Sequence, residues 1–196
     1  RRIGMEPAVL KILEMYAQTV CVDGECSEYV IRDEGKMRLE ENLWQISQVI
    51  SWFRSRGKAV IFNAHNFFDS LSSSSAYTRE VIKTASSAGA DRIVLCDSSG
   101  YALFHDITAG IDVARMQHTR RIGIQCANSS GCADSNAVVA AKSGVMHIQG
   151  SFLGTGPNGN ISLAVTIANL QINMGYSCIP YMKLNRLTHA AEYIAD

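Results

Sequence analysis

The chain has 196 residues, 47% of them hydrophobic, with 18 Lys and Arg balancing 18 Asp and Glu. That mixture suits one globular unit with a large apolar core, and a net charge of zero without a basic run longer than a pair excludes a nucleic-acid or membrane surface recognised by charge alone. No apolar stretch approaches the ~20 residues that span a bilayer, so a cytoplasmic protein is expected.

In chain order, periodicity predicts one repeated unit: a short β-branched strand, a polar turn, then an amphipathic helix closed by glycine. A helix from Glu6 to Met15 precedes a first strand, "QTVCV". In the next helix Leu39, Leu43, Ile46, Ile50 and Phe53 recur at helical spacing, Glu40 and Glu41 sit at its positive end, and Arg54 and Arg56 precede the stop at Gly57. The strand "AVIFNA" follows, then a serine loop, Ser72 to Ser75, able to cap a helix that ends near Gly89. "RIVLCDS" is a strand, Leu103 to about Gln117 a helix, "RIGIQC" a strand, and Cys132 to Ala141 a helix closed by Gly144. "VMHIQGSF" is the fifth strand, and a helix from Gly159 to Met174 is closed by Gly175.

Such alternation implies parallel pairing through right-handed crossovers. Cadence alone allows an open doubly wound sheet or part of an eight-stranded barrel, and a whole barrel needs ~250 residues. Either places function at the carboxyl ends of the strands. The expected rim is Asn63 to Asp69, Cys96 to Tyr101, Gln125 to Cys132 and Gly150 to Asn160. The six cysteines are irregularly spaced, form no C-x-x-C pair and read as reduced thiols.

Four segments, "MRLEENLWQISQVISWFRSRGKAVIFNAHNFFDSL", "RIVLCDSSG", "IGIQCANSSGCADSN" and "HIQGSFLGTGPNGNISLAVTIANLQINMGY", resemble the citramalate synthases in order and spacing. Those enzymes are relatives of the 2-isopropylmalate and homocitrate synthases, in the larger family that includes hydroxymethylglutaryl-CoA lyase. The resemblance runs from about Glu6 to Asp196. It implies an α/β fold in which parallel (β/α) units form roughly the C-terminal five-eighths of a TIM barrel. It further implies a single partial catalytic domain over residues 1–196, without the barrel's first three strands or a later regulatory domain. The activity implied is condensation of acetyl-CoA with a 2-oxo acid, pyruvate in the citramalate branch, assisted by a divalent Zn, Mn or Mg ion. A homo-oligomer, or further chain segments covering the sheet edges, is expected with it.

Carried over position by position, the resemblance puts the family's metal-binding His-x-His on Gln125 and Ala127, while Asn128, Ser130, Gly131, Cys132, Ala133 and Asn136 match the family. Gln is a poor ligand for a transition metal and Ala is none. The "D-A-E-H-F-F-D" segment becomes "NAHNFFD", with His65 in the slot of the catalytic Glu and Asn66 after it; a His can act as a base. "CDSSG" resembles "C-D-T-N-G", so Asp97 and Ser98 fall at the substrate, although Asp97 also reads as a turn residue. The family's "G-x-G-E-R-x-G-N" becomes "GTGPNGN", lacking its Glu and Arg but keeping Gly154, Gly156 and the metal-side Asn160. On these residues the chain is expected to be an impaired or inactive synthase barrel. The alternatives are an active acyltransferase with rearranged ligands and a non-catalytic binder of CoA or a 2-oxo acid.

Other readings compete at single sites. His65, Cys126 and His147 are the residues from which a replacement metal site would be built, although Cys126 should face away from Gln125. "GTGPNGN" reads either as a structural turn or as an anion loop opening a helix. His105, His118 and His189 lie in or beside helices and are assigned no catalytic role.

Overall fold

The computed structural model describes residues 7–117 and 121–195. The helix start expected at Glu6, and His118, lie outside them. In chain order the elements are α1 (Pro7–Glu14), β1 (Thr19–Glu25), α2 (Leu39–Arg54), β2 (Ala59–His65), α3 (Phe67–Ser73), α4 (Ser75–Ser87), β3 (Arg92–Asp97), α5 (Phe104–Gln117), β4 (Ile122–Cys126), α6 (Ala133–Lys142), β5 (Ile148–Gln149), α7 (Leu163–Ala168) and α8 (Arg186–Ala195). Wide π turns at Val30–Glu34 and Asn169–Asn173 precede α2 and extend α7.

The strands pair in parallel in the order β1-β2-β3-β4-β5. Each new strand therefore adds on the same side as the last. A doubly wound sheet reverses direction at a switch point, whereas uninterrupted addition is the path of a closing barrel. Helices cover one face only, where Val60, Phe62, Ile93, Leu95 and Ile124 pack with Ile50, Phe53, Ile82 and Ile107 in a fully buried layer. The other face becomes the lumen. Burial alternates residue by residue along β2, with Val60, Phe62 and Ala64 inside the helix layer and Ile61, Asn63 and His65 half-buried on the lumen side. Helices cover only one face of this strand.

Several boundaries depart from expectation for local reasons. Strand β1 runs on to Glu25, and its last residues pair with β2 as Asp23 with Asn63 and Glu25 with His65. The expected serine loop is helical: Ser72 and Ser73 belong to α3, both donating to the Asp69 carbonyl (2.8 and 3.0 Å), and only Ser74 breaks the path before α4. Its side chain makes no capping bond. Strand β5 keeps two residues because Gly150 lies against the Ile161 backbone, and Ser151 N–H bonds to the Ile161 carbonyl (3.1 Å) instead of to the sheet. The last predicted helix starts at Leu163 and not at Gly159, which has φ +67° and belongs to a turn; Ser162 is the cap, its hydroxyl accepting from Val165 N–H (3.5 Å). Helix α8 has no counterpart among the expected elements.

Gly110 on α5 faces the rings of Phe67 and Phe68 so closely that an added Cβ would stand 2.6 Å from a Phe68 ring carbon and 3.0 Å from one of Phe67. At an exposed helical site Gly→Ala stabilises by about 1 kcal/mol. Here G110A should instead destabilise by ~1–3 kcal/mol through overpacking, read as a lower urea midpoint at unchanged m; a higher midpoint would refute the close packing of α5 on α3.

Candidate active site

Period-two alternation and the parallel register set which side chains meet at the strand ends. Facing the lumen are Asp23 and Glu25 from β1, Asn63 and His65 from β2, Cys96 and Ser98 from β3, Gln125 and Ala127 from β4, and His147 and Gln149 from β5. Cys126 is fully buried and turned to the helix layer, so His65, Cys126 and His147 do not converge.

At the end of β4, Asn160 Oδ1 accepts from Ile161 N–H (2.9 Å) and from Gln125 Nε2 (3.3 Å). A backbone N–H can only donate, so the Asn160 atom there is its oxygen, and Gln125 must meet it with its amide nitrogen. Ala127 adds a buried methyl group. Gln125 thus turns an N–H toward Asn160, and Ala127 offers no lone pair. Among the described residues no group of three or more His, Cys, Asp or Glu is arranged to hold a metal ion. Burial pushes the Cys96 thiol up to about 12 and raises that of Cys126 further, with nearby carboxylates adding to both, so neither offers a thiolate near neutral pH. Burial, then the Arg92 charge, lowers the pKa of His147, whose Nε2 lies 3.2 Å from Gln149 Nε2.

The glycine segment folds onto itself. Asn160 N–H bonds to the Gly154 carbonyl (2.9 Å), Gly159 N–H to that of Gly156 (3.1 Å), and Asn128 N–H to that of Asn158 (2.8 Å). Asn128 Oδ1 also accepts from Ala133 N–H at the start of α6 (3.0 Å), and Ser162 N–H bonds Asp134 Oδ1 (2.7 Å). With the Gly159 and Asn160 amides spent inside the loop, its geometry is that of a structural turn joining β4, β5 and α7.

Asp97 is 1% exposed and sits on the helix side of β3. Its two oxygens accept from Gly100 N–H (3.0 Å) and Ala102 N–H (3.1 Å), and Ser99 Oγ donates at 3.3 Å. This geometry supports the turn reading over direct substrate contact. Ser98, one residue on, faces the lumen; its Oγ accepts from Asn66 N–H (2.9 Å) and lies 3.5 Å from His65 Nδ1. His65 Nε2 lies 3.4 Å from Asp23 Oδ1. Asn66 takes a left-handed conformation (φ 54°) and donates through Nδ2 to both Glu25 oxygens (3.1 and 3.0 Å). Sequence reading missed Asp23 and Glu25, although "VDGE" continues the β1 alternation and puts both carboxylates on one face.

Burial outweighs the amide bonds at Asp97 and raises its pKa above the ordinary 3.8. A raised folded-state value favours the protonated form, so this contribution to stability is complete below 3.8 and is lost as pH rises through the folded pKa. D97N turns an amide N–H toward one of the two backbone donors and should cost ~1–3 kcal/mol. Its deficit should be largest at the acid end and shrink as pH rises; a deficit that grows with pH would contradict the assignment.

The pattern of the HMGL-like family matches residues 7–194. The chain is 30% identical over 201 residues to an (R)-citramalate synthase of Aquifex aeolicus, covering 100% of this chain and 38% of the relative. To the (R)-citramalate synthase of Synechocystis sp. it is 32% identical over 195 residues, covering 94% of this chain and 36% of that one. The HMG-CoA lyase of Bacillus subtilis superposes with a TM-score of 0.82 at 18% identity, over 96% of this chain and 66% of that chain. The chain therefore spans 36% to 38% of the length of these two synthases.

Proposed function

Because the chain belongs to the HMGL-like family, we propose that it is the later part of a citramalate synthase-type barrel in which an amide pair has replaced the metal grip of the condensation. The observation that carries this reading is the bond from Gln125 Nε2 to Asn160 Oδ1. A divalent ion polarises the keto group of a 2-oxo acid only if ligand lone pairs converge on it, and here one contributor offers a hydrogen and the other a methyl. The residues present do not fit the metal. In this reading no step of acetyl-CoA and pyruvate condensation passes through it, and Asp97 and Asn128 keep the ancestral frame of the rim. The edges of β1 and β5 are covered by the remainder of the natural protein or by a second copy, since uncovered strand edges invite aggregation.

The test is metal content. The purified full-length natural protein, incubated with Zn²⁺ or Mn²⁺ and desalted, should retain no stoichiometric metal, and should release no CoA from acetyl-CoA in a pyruvate-dependent, chelator-sensitive manner. The double variant Q125H/A127H should gain tight metal uptake, by at least ~100-fold in affinity, because two imidazoles two residues apart on a strand face one ion. One-to-one retention by the natural sequence would overturn the proposal.

A further inference from the structure

The rim of β1, β2 and β3 holds a second constellation that uses neither Gln125 nor Asn160. Asn66 N–H occupies a lone pair of Ser98 Oγ (2.9 Å), which leaves the hydroxyl hydrogen free to point at His65 Nδ1, 3.5 Å away. A ring accepting at Nδ1 carries its proton on Nε2, and that nitrogen lies 3.4 Å from Asp23 Oδ1. The same Asp23 oxygen also accepts from Asn63 Nδ2 (2.9 Å), and Asn63 Oδ1 in turn accepts from Gln149 Nε2 (3.2 Å), reaching across from β5. Every donor in the chain from Gln149 to Ser98 therefore meets an acceptor, and both ends select the same histidine tautomer.

We propose that Ser98, His65 and Asp23 form a metal-independent acyl-transfer site that hydrolyses thioesters or activated esters. Ser98 is the nucleophile, His65 the base and Asp23 the positioning residue that fixes the ring. The side chains of His65 and Asp23 are 40% and 68% exposed, so an acyl group reaches them from solvent. Separations of this size are loose for a resting nucleophile and base, and tighten when substrate binds. The left-handed Asn66, clamped by Glu25, fixes the amide that orients Ser98; backbone held in such a conformation concentrates at functional sites.

In the first half-reaction Ser98 Oγ bonds to the acyl carbon and its proton passes to His65 Nδ1. The C–S or C–O bond breaks, and the departing thiolate or alkoxide takes that proton. Water then adds to the acyl carbon, giving a proton to His65; the Ser98 ester bond breaks and Oγ recovers the proton. The sum is thioester plus water giving carboxylic acid plus thiol, with no oxidant, reductant or metal required.

The experiment uses the full-length natural protein in EDTA, which separates this proposal from the metal reading. The probes are p-nitrophenyl acetate, acetyl-CoA followed by thiol release, and a fluorophosphonate read by peptide mass spectrometry. Expected are fluorophosphonate mass on Ser98, hydrolysis of at least one acyl probe, and losses of at least ~100-fold in S98A and H65A. D23N should lower kcat by at least ~10-fold at unchanged KM, with D23E restoring part, a split that general loss of structure does not produce. An unlabelled Ser98, or hydrolysis undiminished in S98A, would overturn the proposal; the labelling stands even if a variant fails to fold.

Discussion

The parallel register of β1 to β4 is the constraint on which the rest depends. Glu25 opposite His65, and Cys96 opposite Gln125, place the strand-end polar side chains on the face that the helices do not cover. Slippage by one residue would turn them into the helix layer and Val60, Phe62, Ile93 and Leu95 toward water. Hydrophobic burial on one side therefore dictates the chemistry on the other: the fully buried Phe62 and Leu95 fix where Asn63 and Cys96 stand. Asp97 shows the same coupling at the strand end. Facing the helices, it ties down the turn that leaves Ser98 facing the lumen.

Donor and acceptor counts then decide what the rim can do. The amide of Gln125 turns its donor end toward Asn160 and closes a hydrogen bond, and in the proposed function this is where an ion would need an open lone pair. On the other side of the lumen His65 has a polar neighbour at each ring nitrogen. One ring nitrogen faces a hydroxyl, and a carboxylate from β1 faces the second nitrogen. Family membership explains the frame; redirected chemistry at these side chains is what the two proposals add.

Much of the fold was legible because α2, α4 and α6 are each followed by a glycine stop, at Gly57, Gly89 and Gly144. Cadence did not choose between barrel and open sheet, since strand order is a tertiary property; the family resemblance chose the barrel, and the strand order agrees with it. The brevity of β5 was hidden for a similar reason: Gly150 leaves the sheet because Ile161, eleven residues on, occupies the space beside it. That Gln125 and His65 stand at strand ends on the rim was legible from the strand pattern. Asp23 and Glu25 were overlooked because the first strand was read as ending at Val22, and only pairing with β2 extends it.

The central claim is that the Gln125–Asn160 amide pair stands where a metal would have to be. The most direct measurement is anomalous X-ray scattering at the zinc or manganese edge from crystals of the full-length protein grown with that metal. Density with no anomalous peak beside Asn160 Oδ1, and the Gln125 amide hydrogen-bonded to it, is the expected result. A full-occupancy peak ligated by Asn160, with the Gln125 side chain displaced or turned to offer its oxygen, would contradict it.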